Sequence, residues 1–244
     1  AQISTFCPAI SQPVPRVRDP ARADIPLVRH SVRACPRHPP ALRYFLYEEV
    51  CILIDNMDKV RLTLSAQTEA DRKALYGQFL TPSSVARFMA SLFRTEASHD
   101  CRLLDPGAGI GTLSAAFLDR CTQRELSFKR ITVDAFELDE RLQPYLVQTL
   151  EAYRSERVCQ ASDVRRQDFI TAAVSALSGD LFAEPLPRYT HAILNPPYKK
   201  MRSDSPHRAE LRRVGIETVN LYSAFGALSL ELLEEIKTTG DIFF

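Results

Sequence analysis

The sequence has almost no excess of charge, because its 31 lysines and arginines face 30 acidic residues and the net charge is +1. A chain that binds polyanions over its whole surface would be far more basic, and one with 45% hydrophobic residues is not composed like a disordered chain. Any contact with nucleic acid must therefore come from local basic patches. The length of 244 residues is enough for one domain with a sizeable core and an appendage.

The cysteines and apolar segments also lack the patterns of several protein classes. No C-x-x-C pair occurs and no histidine lies at metal-ligand spacing, so we predict no metal site; the cysteines are Cys7, Cys35, Cys51, Cys101, Cys121 and Cys159. No apolar run reaches the roughly 18 residues of a membrane span, and the N-terminus has no signal-peptide pattern. We expect a soluble protein with free thiols in a reducing cytoplasm.

The first 94 residues differ in composition from the rest. Residues 1–41 hold half of the 16 prolines together with six arginines, which predicts an extended or partly disordered leader, with a basic arm on DNA phosphates as the alternative. Residues 42–94 form a predicted helical cap, since no proline or glycine occurs from Ala41 to Leu75 and apolar residues recur at helical spacing. Near its end, Thr81 is a candidate N-cap and Pro82 fits the first helical position.

Residues 95–244 alternate between strand-like and helix-like segments. The predicted order is strand 101–104, helix 110–121, strand 131–136, helix 140–154, strand 158–161, helix 169–177, strand 192–194, helix 220–236 and the start of a strand at 241–244. Such alternation implies right-handed crossovers. The fold class is therefore α/β, with a mostly parallel Rossmann-like sheet and helices on both faces.

The stretch from His191 to Tyr198 is the most informative one. An apolar run that breaks into Asn195, Pro196 and Pro197 predicts a buried strand that stops there, followed by a stiff loop. The loop fixes an amide, a carbonyl and the Tyr198 ring at the carboxyl end of a parallel strand, where open α/β sheets bind ligands. This combination suits a planar amine, although a plain Pro-Pro turn beside a packed tyrosine is the structural alternative.

A glycine-rich loop and an acidic residue follow the first two predicted strands. The loop from Asp105 to Gly111 opens a helix, so its backbone can approach a ligand closely and offer free N–H groups. Glu137 ends the second strand, where a carboxylate can accept hydrogen bonds from two ribose hydroxyls; Asp139 is the local competitor. The loop is not a phosphate loop of the Gly-Lys-Ser kind.

Taken together, these motifs resemble the adenine-N6 DNA methyltransferases of the gamma group, found in bacterial restriction-modification systems. The resemblance covers about residues 76–244 and rests on Gln78 to Pro82 placed ahead of the glycine loop, on Asp105 to Gly111, on Glu137 and on Asn195 to Tyr198. It implies S-adenosylmethionine as cofactor and methyl donor. It also implies that the catalytic domain is incomplete at the C-terminus of these residues, which include no target-recognition domain.

The resemblance assigns roles residue by residue. Asn195, Pro196, Pro197 and Tyr198 bind the target base, with Asn195 and the Pro196 carbonyl accepting the two amine protons and Tyr198 stacking on the ring. The implied cofactor residues are Phe79, Thr81, Pro82, Asp105, Pro106, Gly107, Ala108, Gly109, Gly111, Glu137, Leu138, Asp168, Phe169 and Asn195. Asp163 is an alternative to Asp168, and Tyr222 resembles a position that lines the cofactor pocket.

The implied partners are double-stranded DNA and a restriction endonuclease or specificity subunit, in a bacterial or archaeal cytoplasm. The basic run after Tyr198 is a candidate for contacts with DNA phosphates, through Lys199, Lys200, Arg202 and Arg208. A solvated loop is the alternative for this run.

Related enzymes with the Asn-Pro-Pro-Tyr motif methylate adenine in ribosomal RNA or a glutamine of a release factor, and both substrates stay open. Cytosine-N4 enzymes usually have Ser at position 195. A non-catalytic fragment or subunit that binds the cofactor but needs a separate specificity part also stays open.

Overall fold

The computed structural model describes residues 54, 56–66, 80–94, 100–234 and 242–243. The predicted leader and the cofactor candidate Phe79 lie outside these residues. Within the predicted helical cap, residues 56–66 are helical and helix α1 spans Ser83–Ser91.

Five parallel strands form one sheet in the order β3-β2-β1-β4-β5. Their bounds are β1 Cys101–Pro106, β2 Ile131–Phe136, β3 Ala161–Arg165, β4 His191–Ile193 and β5 Ile242–Phe243. The central strand β1 pairs with β2 over its full length and with β4 at Leu103↔His191 and Leu104↔Ala192. The α/β fold with a parallel sheet is therefore confirmed.

The connecting helices are α2 Thr112–Thr122, α3 Gln143–Ser155, α4 Phe169–Ser178, α5 Pro206–Arg213 and α6 Leu221–Leu232. Two of their predicted starts are explained by caps. The side chain of Asp168 accepts the Thr171 N–H at the start of α4, and that of Asn220 accepts the Ser223 N–H at the start of α6. Pro144 lies in the first turn of α3, where a missing N–H costs nothing.

The sheet separates two apolar cores because successive side chains of a strand point to opposite faces. Leu103 packs with residues of α1, α2 and α3, whereas the next residue, Leu104, packs with residues of α4 and α6. In the same way Ile193 lies in the first core and Ala192 in the second. Helices therefore cover both faces of the sheet, and its carboxyl edge remains for the loops.

Three local predictions were wrong. Strand β3 begins at Ala161 instead of Val158, because the N–H groups of Val158 and Cys159 both donate to the Tyr153 carbonyl in the turn that ends α3. The N-cap of α1 is Pro82 rather than Thr81. No helix was predicted between the strand at 192–194 and the helix at 220–236, where α5 begins at Pro206.

No helix among the described residues is both long and apolar enough to cross a membrane.

Candidate functional site

A cavity of about 640 Å³ lies at the carboxyl edge of the sheet. Its walls come from the loops that follow β1, β2 and β4, from the segment before α1 and from the segment that leads into α5. Cavities of this size hold ligands as large as a nucleoside. The predicted residues that line it are Thr81, Gly107, Ala108, Gly109, Glu137, Leu138, Asp168, Phe169, Asn195, Pro197, Lys199, Lys200 and Arg202.

The glycine loop brings backbone to the cavity wall. Gly107, Gly109 and Gly111 have φ angles of +73°, +62° and +85°, a conformation that L side chains adopt only with strain. A Cβ on Gly109 would lie 3.0 Å from Leu80 Cδ2, so this position also lacks room for a side chain. Gly111 is the N-cap of α2 and packs against Leu146 instead of lining the cavity.

Asp105 lies fully buried beneath this loop and is not part of the cavity wall. Its Oδ2 accepts hydrogen bonds from the Ser114 N–H at 3.2 Å and from the Ser114 hydroxyl at 2.5 Å. Its Oδ1 has no hydrogen-bond partner among the described residues. Burial raises the pKa of Asp105 to about 7 even though the Ser114 hydrogen bonds oppose the rise. A cationic donor is the group that would satisfy this oxygen best.

Glu137 is held at the end of β2 by backbone donors. Its Oε2 accepts the Gly109 N–H at 2.8 Å and its Oε1 accepts the Asp139 N–H at 2.7 Å, so the carboxylate ties the first loop to the second. Glu137 lines the cavity, and a carboxylate at this place can accept hydrogen bonds from ligand hydroxyls. The competitor Asp139 does not line the cavity, and its carboxylate binds the Arg141 side chain at 2.7 Å.

An aromatic wall stands next to Glu137. The Phe169 ring lies 5.1 Å from the ring of Phe136 and 5.1 Å from that of Phe225, and all three rings line the cavity. A flat, heteroaromatic ligand would pack well against such a wall. Phe225 of α6 thus belongs both to the second apolar core and to the cavity wall.

Asp168 directly precedes Phe169 of the aromatic wall and lies beside His207. The His207 Nε2 atom lies 3.4 Å from Asp168 Oδ2, and this contact joins the start of α4 to α5. Burial alone would raise the pKa of Asp168, but hydrogen bonds from His207 and from the Thr171 N–H lower it overall. The hydrogen bond to Asp168 in turn raises the pKa of His207. The alternative residue, Asp163, lies inside β3 and pairs with Arg165 at 3.2 Å, so it does not reach the cavity.

The side chain of Asn195 is fixed at both ends. Its Nδ2 donates to the Thr81 hydroxyl at 3.1 Å, and its Oδ1 accepts the Tyr198 hydroxyl at 3.2 Å. The Lys199 N–H turns back to the Pro197 carbonyl, and no backbone N–H of the described residues donates to the Pro196 carbonyl. Two hydrogen-bond acceptors, the Asn195 side-chain oxygen and the Pro196 carbonyl, therefore belong to consecutive residues just after β4.

Tyr198 lies at the surface and does not line the cavity. Its side chain is 61% exposed, and its ring stacks on Tyr222 with centroids 5.4 Å apart. The stack is held by antiparallel pairing of the next residues, since Leu221 N–H donates to the Lys199 carbonyl at 2.9 Å. Tyr222 therefore supports the ring of Tyr198. It does not line the cavity, although the resemblance implied that it would.

The basic run contributes to the site unequally. The side chains of Lys199, Lys200 and Arg202 are exposed at the cavity, whereas Arg208 lies on α5 and is paired with Glu217. Hydrogen bonds from Arg212 and Arg208 lower the pKa of Glu217 to about 2. Glu217 thus pairs with two arginines of the second half of the run, Arg208 and Arg212.

Several lining residues were not predicted. The segment from Met201 to His207 reaches the cavity only because its backbone pairs with the segment before α6, as in the bond from Met201 N–H to the Val219 carbonyl. No sequence pattern signals this pairing. In contrast, Phe225 and Leu221 could have been suggested by their place on an apolar helix after the Asn195 loop. The predicted residues Pro82, Asp105, Pro106, Gly111, Pro196, Tyr198 and Arg208 are not in the wall itself.

Comparison with known proteins gives consistent matches. The chain is 43% identical over 194 residues to the type II methyltransferase M.BsuBI of Bacillus subtilis and 34% identical over 190 residues to the type II methyltransferase M.PstI of Providencia stuartii. These matches cover 79% and 76% of this chain but only 37% and 36% of the relatives, so the chain spans little more than a third of their length. No family model matches the sequence.

The fold has a counterpart among solved structures. A protein of Listeria monocytogenes, described as a class I S-adenosylmethionine-dependent methyltransferase, superimposes with a TM-score of 0.54 at 11% identity, over 77% of this chain and 51% of that one. At this identity the likeness concerns the fold alone, which is that of the S-adenosylmethionine-dependent methyltransferases. The fold and the two sequence matches agree: the chain has the fold of the S-adenosylmethionine-dependent methyltransferases and is similar to little more than a third of the length of two type II methyltransferases.

Proposed function

We propose that this chain transfers a methyl group from S-adenosylmethionine to the N6 amine of an adenine in double-stranded DNA, as the modification activity of a restriction-modification system. The observation that carries the proposal is that Asn195, whose Oδ1 is an acceptor for an amine, lines the same cavity as Glu137 and the glycine loop. The Pro196 carbonyl, a second acceptor, follows it directly in the chain. Both substrates occur in the cytoplasm, which is where we expect the protein to act.

Two features of the cavity wall and one group beneath it fit the cofactor. The carboxylate of Glu137 lines the cavity and can accept hydrogen bonds from the ribose hydroxyls. The rings of Phe136, Phe169 and Phe225 offer a wall for the adenine. Behind the wall, beneath the glycine loop, Asp105 Oδ1 has no hydrogen-bond partner among the described residues and is an acceptor suited to the cationic amino group of the methionine part.

The chain's residues act by positioning. The cofactor supplies an electrophilic methyl group on a positively charged sulfur, which keeps the electron pair of the broken carbon–sulfur bond. An adenine amine is a poor nucleophile because its lone pair is delocalised into the ring. Hydrogen bonds from its two N–H groups to Asn195 Oδ1 and to the Pro196 carbonyl draw the nitrogen toward tetrahedral geometry and localise the lone pair. The nitrogen then loses one of its protons to solvent.

The target base must leave the duplex to reach these acceptors, since the amine is inaccessible in stacked DNA. Tyr198 offers an exposed ring at the rim on which such a base can stack. The exposed side chains of Lys199, Lys200 and Arg202 are then placed to bind phosphates next to it. We further propose a restriction endonuclease or a specificity subunit as the functional partner.

A transfer assay with tritiated S-adenosylmethionine tests the proposal. Unmethylated bacterial genomic DNA, ribosomal RNA and a release factor are offered side by side, and label is expected in DNA and recovered as N6-methyladenine. Label in RNA or protein would contradict the proposed substrate while retaining the chemistry. No label in any of them, with cofactor binding intact in calorimetry, would contradict activity of this chain by itself and favour dependence on a separate specificity part.

Replacing the amide identifies the catalytic site. Asn195→Ala is expected to lower transfer by at least roughly a hundredfold, the loss typical for one donor or acceptor aimed at a transition state, with little change in cofactor affinity. Asn56→Ala, on the helical segment 56–66, removes a comparable amide whose oxygen accepts a hydrogen bond from Lys59 at 3.4 Å, and it should leave transfer unchanged. Equal rates for wild type and Asn195→Ala would refute the role of the amide.

A further inference from the structure

Thr81 makes a contact that the family resemblance does not assign to it. The resemblance gives this residue a role at the cofactor, but its hydroxyl accepts a hydrogen bond from Asn195 Nδ2 at 3.1 Å, across 114 positions of sequence. Thr81 is 9% exposed and lines the cavity between Leu80 and the Asn195 loop. The contact therefore joins the segment before α1 to the loop after β4.

The backbone around Thr81 is well anchored. Pro82 is the N-cap of α1, and the next residue, Ser83, donates its N–H to Asp58 Oδ1 at 3.2 Å and its hydroxyl to Asp58 Oδ2. Asp58 belongs to the helical segment 56–66 and also binds Arg61 at 2.8 Å. Thr81 thus carries its hydroxyl on a segment fixed from two sides, which is the property required of a group that orients another side chain.

The orientation of the Asn195 amide matters because its two ends are opposite in character. The oxygen end accepts hydrogen bonds and the nitrogen end donates them. With Nδ2 held by Thr81, Oδ1 faces Tyr198 and the rim of the cavity. Rotation of the amide by half a turn would present N–H groups to an incoming amine, and two donors would then face each other.

We infer that Thr81 is a positioning residue for the amide: its hydroxyl holds the nitrogen end of Asn195 so that the oxygen end is ready for the amine of the substrate. The inference rests on the proposed methyl transfer and concerns the same site. It assigns Thr81 to the base side of the reaction and predicts an effect on the transfer step with little effect on cofactor binding.

Two substitutions of Thr81 separate these roles. Thr81→Val keeps the shape of the side chain and removes the hydroxyl, so we expect kcat to fall by roughly 10 to 100 times, as for a reacting group that is no longer held in place, while the cofactor Kd changes by less than about twofold. Thr81→Ser keeps the hydroxyl and is expected to recover most of kcat. The matched control is Thr190→Val. Thr190 precedes β4 at the amino edge of the sheet, opposite the cavity, and its hydroxyl accepts the Arg102 N–H at 2.9 Å. This control should keep the wild-type kcat.

A spectroscopic measurement follows the contact without relying on turnover. In ¹⁵N-labelled protein, the side-chain NH₂ signal of Asn195, assigned by its loss in Asn195→Ala, should exchange slowly with solvent in the wild type and in Thr81→Ser. Exchange should be faster in Thr81→Val. Unchanged exchange in Thr81→Val would show that the hydrogen bond does not hold the amide and would overturn the inference.

The outcomes distinguish this inference from the proposed function. If the wild-type chain transfers methyl groups and Thr81→Val does so at the same kcat, only the role of Thr81 is refuted. If Thr81→Val weakens cofactor binding with kcat unchanged, Thr81 acts at the cofactor and the inference is again refuted. If the wild type transfers no methyl group to any substrate, the proposed function itself is contradicted.

Discussion

The buried carboxyl group of Asp105 should reduce the stability of the free protein at neutral and alkaline pH, and Asp105→Asn should remove this cost. Burial raises the pKa of Asp105 from its ordinary value of 3.8 to about 7. Since one pKa unit corresponds to about 1.4 kcal/mol, the ionised carboxylate destabilises the folded state by about 4 kcal/mol relative to an exposed one. Asparagine keeps an oxygen that can accept the two Ser114 hydrogen bonds, so the neutral variant loses little in exchange.

The sign of the pH dependence follows from the direction of the shift. A carboxyl group whose pKa is raised on folding binds protons more tightly in the folded state, so its contribution to stability is fully present below pH 4 and is lost as the pH rises through about 7. The free energy of unfolding of the wild type should therefore fall between pH 5.5 and 8, by about 2 kcal/mol relative to Asp105→Asn. Above pH 8 the variant should be the more stable protein, by up to about 4 kcal/mol.

Urea unfolding at a series of pH values measures this difference. The control is Glu217→Gln, because the pKa of Glu217 is lowered to about 2 by Arg212 and Arg208 and its titration lies below the range examined. Its difference from the wild type should stay constant from pH 5.5 to 8. A constant difference for Asp105→Asn as well would refute the argument from burial.

We also expect Asp105→Asn to weaken S-adenosylmethionine binding by roughly 10 to 100 times, which corresponds to the loss of one hydrogen bond to a charged group. An unchanged affinity would show that Asp105 does not contribute to the cofactor site.

Three further substitutions probe the site and its supports. In Glu137→Gln the new NH₂ group would face the N–H donor of either Gly109 or Asp139. Calorimetry should therefore show a cofactor affinity at least about tenfold weaker, and urea unfolding should show a free energy of unfolding lower by about 1–3 kcal/mol. Gly111→Ala should destabilise the protein by about 2–3 kcal/mol in the same unfolding assay, because φ is +85° and the new Cβ would lie 2.9 Å from Leu146 Cδ1. Asp168 raises the pKa of His207, so their pairing stabilises the folded protein fully below about pH 6.5, and this stabilisation is lost as the pH rises. His207→Gln should therefore destabilise the protein more at pH 6 than at pH 9, by up to about 1 kcal/mol. An equal effect at both pH values would argue against the pairing.

The central strands of this fold could be predicted from the sequence, whereas its edge could not. Strand β2 was predicted with the bounds it has, and β1 with the correct start, because both are runs of mostly apolar residues in the middle of the sheet. Strand β3 is an edge strand that reads Ala-Ser-Asp-Val-Arg and has no buried residue. Its polar sequence gives no strand signal. The apolar residues Val158 and Cys159 therefore predict the strand too early, at 158–161. These residues instead pack in the turn before it.

Helix α5 was missed for a related reason. It carries one buried apolar residue, Leu211, among charged neighbours, so the helical period of apolar residues is absent. Its stability depends on tertiary contacts, such as the hydrogen bond from the Thr171 hydroxyl to Glu210 at 3.0 Å and the ion pair of Arg213 with Asp180 at 2.7 Å. Local sequence does not report such partners. The motifs of the candidate site were easier to predict, since strand ends with glycine, acid or proline mark positions where backbone must turn.

The strand order explains why the site needs residues so far apart in sequence. The chain leaves β1 toward β2 and β3 on one side, and β4 then returns to the other side of β1, so the loops after β1 and β4 diverge and leave a crevice between them. This arrangement brings the glycine loop and Asn195 to one cavity, as the proposed transfer between two bound molecules requires. The sheet alone does not set the orientation of a side chain at the rim, because β4 ends at Ile193, two residues before Asn195. That orientation depends on a third segment, and Thr81 supplies it from the start of α1.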